Sequence, residues 1–139
     1  MNGFEYFKNC IINNYANFDG RARRSEYWYF TLFSILSFLI LYTLLFLLIF
    51  TGISLFPFFV LIAVYIVLIM IPTLAVTVRR LHDTGKSGWW YLISFLPLGG
   101  LVLFIFTLQE GNPFANEYGT DPKGRSLEFE FETIHNQKI

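Results

Sequence analysis

The stretch YWYFTLFSILSFLILYTLLFLLIFTGISLFPFFVLIAVYIVLIMIPTLAVTV, Tyr27–Val78, runs for 52 residues without an Asp, Glu, Lys, Arg or His. As one helix it would be about 78 Å long, at 1.5 Å per residue. A bilayer's hydrocarbon layer is about 30 Å thick and takes about 20 apolar residues. The run must therefore fold back on itself, and Thr51-Gly52 and Pro57 are the strong breakers near its middle. This predicts two spanning helices, at about 27–50 and 56–78. A second uncharged run, Ser87–Gln109, has 23 residues and predicts a third, at about 88–109. The expected fold class is an all-α membrane protein with three transmembrane helices.

Composition supports this. Hydrophobic residues are 55% and charged residues 14% of the 139 residues, against roughly 25% charged in a soluble domain. Three apolar runs cannot all be hidden in so short a chain with so few polar residues to cover them. The first run begins too far in and is too long for a cleaved signal peptide, and no A-x-A pattern follows it, so it reads as an uncleaved anchor. Net charge is zero, which excludes the basic excess of a nucleic-acid binder. The single cysteine, Cys10, can form neither an internal disulfide nor a multi-cysteine metal site.

Residues 1–125 read as one multi-pass membrane domain. The remainder, 126–139, is an acidic and aromatic extension in which Leu127, Phe129 and Phe131 alternate with Glu128, Glu130 and Glu132. That is a strand period. One strand alone is not stable in water, so a mobile tail is expected. At the other end, Phe4, Phe7, Ile11, Tyr15 and Phe18 fall at steps of three and four, predicting an amphipathic helix at about 4–18. It either lies in the headgroup region or packs on the spanning bundle.

Orientation follows Lys and Arg. Lys8, Arg21, Arg23 and Arg24 precede the first span, and Arg79, Arg80 and Lys86 lie between the second and third. The Thr51–Leu55 turn has none, and Lys123, Arg125 and Lys138 follow the third run. The N-terminus and the Arg79–Ser87 loop are therefore expected in the cytoplasm. With three spans the tail would then lie outside. Trp28, Trp89, Trp90 and Tyr91 sit at span ends on the cytoplasmic side, as an aromatic belt does.

Gly85-Lys86-Ser87 imitates the end of a phosphate-binding loop, but Arg80 stands where that pattern needs its first glycine. Ser87 reads better as an N-cap. His82-Asp83 offers a general-base pair or half of a metal site. The only other histidine is His135, so no metal and no cofactor are expected. The spans carry no ionisable side chain other than Tyr, which counts against a proton-coupled pump. Pro72 and the Pro97–Gly100 break disturb two helices at similar depth and read as kinks, or as the lining of a small cavity. The Pro97–Gly100 break also admits a re-entrant hairpin. A single span is expected instead, because each half of about ten residues is too short to cross.

The strongest constellation is a charged rim. Arg21, Arg23, Arg24 and Glu26 enter the first span, and Arg79, Arg80, His82, Asp83 and Lys86 leave the second. Their opposite charges can bridge the two segments, Glu26 to Arg79 or Arg80 and Asp83 to Arg21 or Arg24. Arginines left over can hold lipid phosphates, at roughly 1 kcal/mol each near an anionic surface.

Three segments, FDGRARRSEYWYF (Phe18–Phe30), RRLHDTGKSGWW (Arg79–Trp90) and NEYGTDP (Asn116–Pro122), resemble in order and spacing the YhaH-like family of small bacterial inner-membrane proteins, domain of unknown function 805. The resemblance covers about Phe18–Pro122. It implies a bacterial inner-membrane location and a multi-pass fold, and it implies no activity. Ala115 and Glu117 depart from the Gly and Arg usual in that family's last motif. Three functions are expected in this order. The first is a non-enzymatic membrane protein whose rim binds anionic lipid, a membrane-protein partner or a second copy. The second is an oligomeric channel or small transporter subunit. The third is a membrane-embedded enzyme on lipid-linked substrates using His82 and Asp83.

Overall fold

The computed structural model describes residues 1–52, 54–125, 127 and 129. The regular elements among the described residues are helices: α1 (Gly3–Ile12), α2 (Arg24–Leu48), α3 (Phe56–Asp83) and α4 (Gly99–Leu108), with 3₁₀ segments at Ile49–Thr51 and Gly88–Phe95.

The α2–α3 pair is the hairpin expected from the 52-residue run. Gly52 turns the chain with φ 71°, and Pro57 starts α3, where a missing N–H costs nothing. Tyr65 Oη donates to the Ser34 carbonyl at 2.8 Å and lies 2.6 Å from Ser37 Oγ. Ser37 is thus the hydroxyl that joins α2 to α3, while the Thr31 and Ser34 hydroxyls donate to the Tyr27 and Phe30 carbonyls of their own helix. Only 6% of the most apolar part of α2 and 17% of that of α3 is buried within the chain. A soluble core helix is covered by protein. These two expose their leucines, isoleucines and phenylalanines, and are long and apolar enough to cross a membrane.

α1 is shorter than the predicted 4–18. Asn2 and Glu5 form a capping box. At the other end Asn13 bonds to Asn9, Asn17 to Asn14, and the Asp19 N–H to Asn17. Such local side-chain bonds compete with helix continuation. The apolar stripe of α1 packs on α2 through Phe4–Phe33 and Phe7–Phe30 ring contacts at 5.6 and 5.8 Å. Cys10, Ala22, Phe30 and Val76 form the small core beneath it.

The expected single helix at 88–109 does not form. Gly88–Phe95 is 3₁₀ and α4 has ten residues, about 15 Å of rise. Between them Pro97 interrupts the backbone donors, Leu98 adopts φ 64°, and Gly99 packs onto the Ile93 carbonyl, where a Cβ would lie 1.6 Å from the oxygen. The arms fold against each other through the edge-on Trp90–Phe106 pair at 5.6 Å. Lys86 Nζ donates to Gln109 Oε1 at 2.7 Å, so the run ends where it began. The chain after it returns to the end of the molecule that holds the rim, not to the opposite end as three spans would require. Pro72 is buried inside α3 while Pro97 is exposed at the hairpin tip, so the two breakers do not line one cavity. Most of the alternating Leu127–Glu132 stretch lies outside the described residues. Leu127 and Phe129 themselves are helical rather than extended.

Candidate functional site: a buried charge clamp

The last turn of α3 meets the segment before α2 and the loop after α4, so all three sequence motifs converge at one end. Asp83 is the centre. Its Oδ1 accepts from Arg21 Nε at 3.0 Å and its Oδ2 from Arg80 Nη1 at 2.5 Å. The three side chains are 1%, 0% and 4% exposed for Arg21, Arg80 and Asp83. Gly111 lies over this carboxylate so closely that a Cβ would stand 2.0 Å from Oδ2.

The two arginines spend their remaining donors on backbone carbonyls. Arg80 Nε donates to the Thr107 carbonyl at 3.1 Å and Nη2 to that of Gln109. These are carbonyls a helix leaves open at its C-terminus, so Arg80 caps α4. Arg21 donates to the carbonyls of Asn112, Phe114 (2.8 Å) and Gly119 (3.2 Å) and thereby shapes the whole 112–119 loop. Asn116 Nδ2 caps α3 in the same manner, donating to the His82 carbonyl at 2.9 Å.

A second cluster ties this loop down. Asp121 accepts from Arg125 Nε at 2.8 Å and from the Lys123 and Arg125 N–H groups at 3.1 Å. Burial alone would raise its pKa. The Arg125 side chain and the two backbone donors outweigh this and hold it at about 2. Glu110 pairs with Lys123, Arg24 and Arg125, and its pKa is lowered first by Lys123. A third cluster faces α1. Arg79 Nη1 donates to Glu26 Oε1 at 2.6 Å, and Cys10 Sγ lies 3.6 Å from the same oxygen. Burial, then the Glu26 charge, pushes the Cys10 thiol up to about 12.

The rim residues singled out from sequence are all here, in separate roles. The Glu26–Arg79 and Asp83–Arg21 bridges form as their charges suggest, with Arg80 added to Asp83. Arg23 donates to the Pro122 carbonyl at 2.7 Å, Arg24 lies at the surface beside Glu110, and Lys86 closes the hairpin base. Ser87 caps as expected, its hydroxyl accepting the Trp89 N–H at 3.4 Å, but what it caps is a 3₁₀ segment. His82 and Asp83 do not pair with each other. Asp83 turns to the arginines, while His82 Nδ1 lies 3.2 Å from the Gly20 carbonyl and its ring stacks 3.7 Å from Tyr118. Among the described residues no three His, Cys, Asp or Glu side chains converge as a metal site. Sequence reading missed Glu110, Gly111, Tyr118, Asp121 and Arg125. The one signal for any of them was the Asn116–Pro122 motif, which carries Tyr118 and Asp121.

An end-on clamp of buried Arg–Asp pairs beneath two long apolar helices defines a small helical protein built for a membrane. The chain belongs to the family described as "Protein of unknown function (DUF805)", which matches residues 15–120. It is 43% identical over 114 residues to Inner membrane protein YhaI of Escherichia coli strain K12, covering 81% of this chain and 92% of that protein. It is 40% identical over 114 residues to Inner membrane protein YhaH of the same strain, covering 81% and 93%. No solved structure matches the chain. The family match spans Arg21, Arg80 and Asp83, whereas Asp121, Lys123 and Arg125 of the second cluster and Cys10 of the third lie outside it.

Proposed function

We propose that this chain is a non-enzymatic, multi-pass protein; its place in the bacterial inner membrane is the part that the names of its relatives support. In this reading α2 and α3 cross the bilayer. The 88–108 hairpin enters and leaves by the cytoplasmic face, and the N-terminus and the Asn116–Pro122 motif both lie in the cytoplasm. The observation that carries it is the Arg21–Asp83–Arg80 clamp, which ties all three motifs to one end of the spans. The basic residues agree. The Thr51–Leu55 connection has no Lys or Arg, so every one up to Arg125 falls on the cytoplasmic side.

The clamp changes which groups of the rim meet a ligand. Arg21, Arg79 and Arg80 are buried and turned inward, so they hold the fold. Arg24 and Lys123 have side chains 43% and 36% exposed and are the cations that face anionic headgroups. A reporter pair fused to the C-terminus, one active only in the cytoplasm and one only outside, tests the topology. The cytoplasmic reporter should be active. Activity of the outer one would return the third run to a full span. Replacing Arg24 and Lys123 by Gln together should lower retention on phosphatidylglycerol vesicles by about thirty-fold, at roughly 1 kcal/mol per charge. Unchanged retention would remove anionic lipid as the rim's ligand.

A further inference from the structure

Between α3, the Phe18-Asp19 segment and the Ser87–Leu92 segment lies a groove of about 500 Å³. Its wall on α3 runs His82, Val78, Leu74. Steps of four keep these on one helix face, about 12 Å from end to end. The groove therefore has a polar mouth, at Asp19, His82 and Ser87, and an apolar throat that descends alongside the spanning helix. That gradient matches one lipid molecule and not a small soluble ion.

The mouth accepts hydrogen bonds and does not give cations. The Gly20 carbonyl can only accept, so the His82 Nδ1 lying 3.2 Å from it is the donor of that pair, which leaves Nε2 of the neutral ring an acceptor beside Gly88. His82 is 9% exposed, and among the described residues no donor meets Nε2. Gly88 borders this nitrogen: a Cβ there would touch it at 3.5 Å and would collide first with Val78 Cγ1. Asp19 and Glu117 both bear electrostatically on the ring. Neither has a Lys or Arg partner among the described residues, whereas Glu26, Asp83, Glu110 and Asp121 at this end are all paired. The aromatic faces of Phe18, Trp89 and Tyr91 complete surroundings that suit a cation.

We propose that this groove seats a phospholipid whose headgroup ends in a primary ammonium. The Asp19 carboxylate and His82 Nε2 receive its N–H donors, Trp89 flanks it, and an acyl chain follows Val78, Leu74 and Leu92. This rests on the reading that this end of the molecule lies at the membrane surface. It is separate from the attraction of Arg24 and Lys123 for anionic lipid.

The test uses the full chain with Trp28→Phe and Trp90→Phe, leaving Trp89 as the only tryptophan. In detergent it is titrated with short-chain phosphatidylethanolamine, phosphatidylcholine, phosphatidylglycerol and the chainless headgroup glycerophosphoethanolamine. Trp89 fluorescence should change saturably with the ethanolamine lipid. Binding should be at least ten-fold weaker for the other three, because a trimethylated amine has no donors, a glycerol headgroup has no cation and a free headgroup has no chain. Asp19→Asn, at an exposed side chain, should weaken the ethanolamine lipid at least ten-fold. Equal binding of choline or glycerol lipid, equal binding of the chainless headgroup, or an unchanged Asp19→Asn variant would each overturn the proposal. Native mass spectrometry of the chain with all three tryptophans intact gives a second reading. Retained ethanolamine lipid should be lost in Asp19→Asn, and its persistence would likewise overturn the proposal. These titrations need no bilayer orientation, so their failure is distinct from failure of the topology, which the C-terminal reporters read.

Discussion

Asp83→Asn keeps the shape of the clamp and removes its charge. Arg21 and Arg80 then face one shared buried space, with side chains 1% and 0% exposed. Their remaining counter-charge is Asp121, 3.8 Å from Arg21 Nη2. Removing one partner of a buried pair costs about 3–5 kcal/mol, because the surviving charge is left uncompensated. The residual Asp121 attraction sets the expectation at the low end, about 3 kcal/mol, or roughly 100-fold in the opening equilibrium of the 109–125 loop. Limited trypsin cleavage after Lys123, with protease dilute enough that the rate follows the open population, reads this directly. Asp83→Asn should be cut about 100-fold faster than the unaltered protein. Gly111→Ala should act in the same direction, since its Cβ collides with the same carboxylate. Glu26→Gln, which breaks the separate Arg79 bridge against α1, should stay within a few-fold of the unaltered protein. An acceleration below three-fold in Asp83→Asn, or an equal one in Glu26→Gln, would show that the clamp does not hold the loop.

Gly99→Ala has no room against the Ile93 carbonyl and should cost at least about 2 kcal/mol, as overpacking of a tight contact does; an unchanged thermal unfolding midpoint in detergent would show that the hairpin turn is not as drawn. Asp121, held at about 2 against an ordinary 3.8, contributes stability that is complete above about pH 4 and is lost as pH falls toward 2. The loss is at most about 2 kcal/mol, and the midpoint of Asp121→Asn should fall less steeply over that window. Equal slopes would contradict it. Cys10, buried and pushed up to about 12, should resist maleimide at pH 8 in the folded protein and react after denaturation in sodium dodecyl sulfate. Rapid labelling of the folded protein would place the thiol elsewhere.

The spans were legible because their causes are local. Fifty-two uncharged residues with one breaker region admit few arrangements, and α2 and α3 follow from chain length, apolar content, Gly52 and Pro57. The Glu26–Arg79 and Asp83–Arg21 bridges were legible for a related reason. A spanning hairpin forces its two polar ends together, and opposite charges there have little else to meet. The third run was different. Pro97 and two glycines are tolerated in a membrane helix as readily as they end one, and because each half is short for a crossing, local pattern favoured a single span over the hairpin. Long-range contacts close that choice: Gly99 seated on Ile93, Lys86 on Gln109, and above all Arg80 reaching 27 residues along the chain to cap α4 at Thr107. The same holds for Glu110, Gly111, Asp121 and Arg125. In sequence they are ordinary members of a polar loop. They join the site only because the returning hairpin sets that loop on the buried arginines, whose donors require carbonyl and carboxylate partners once removed from water.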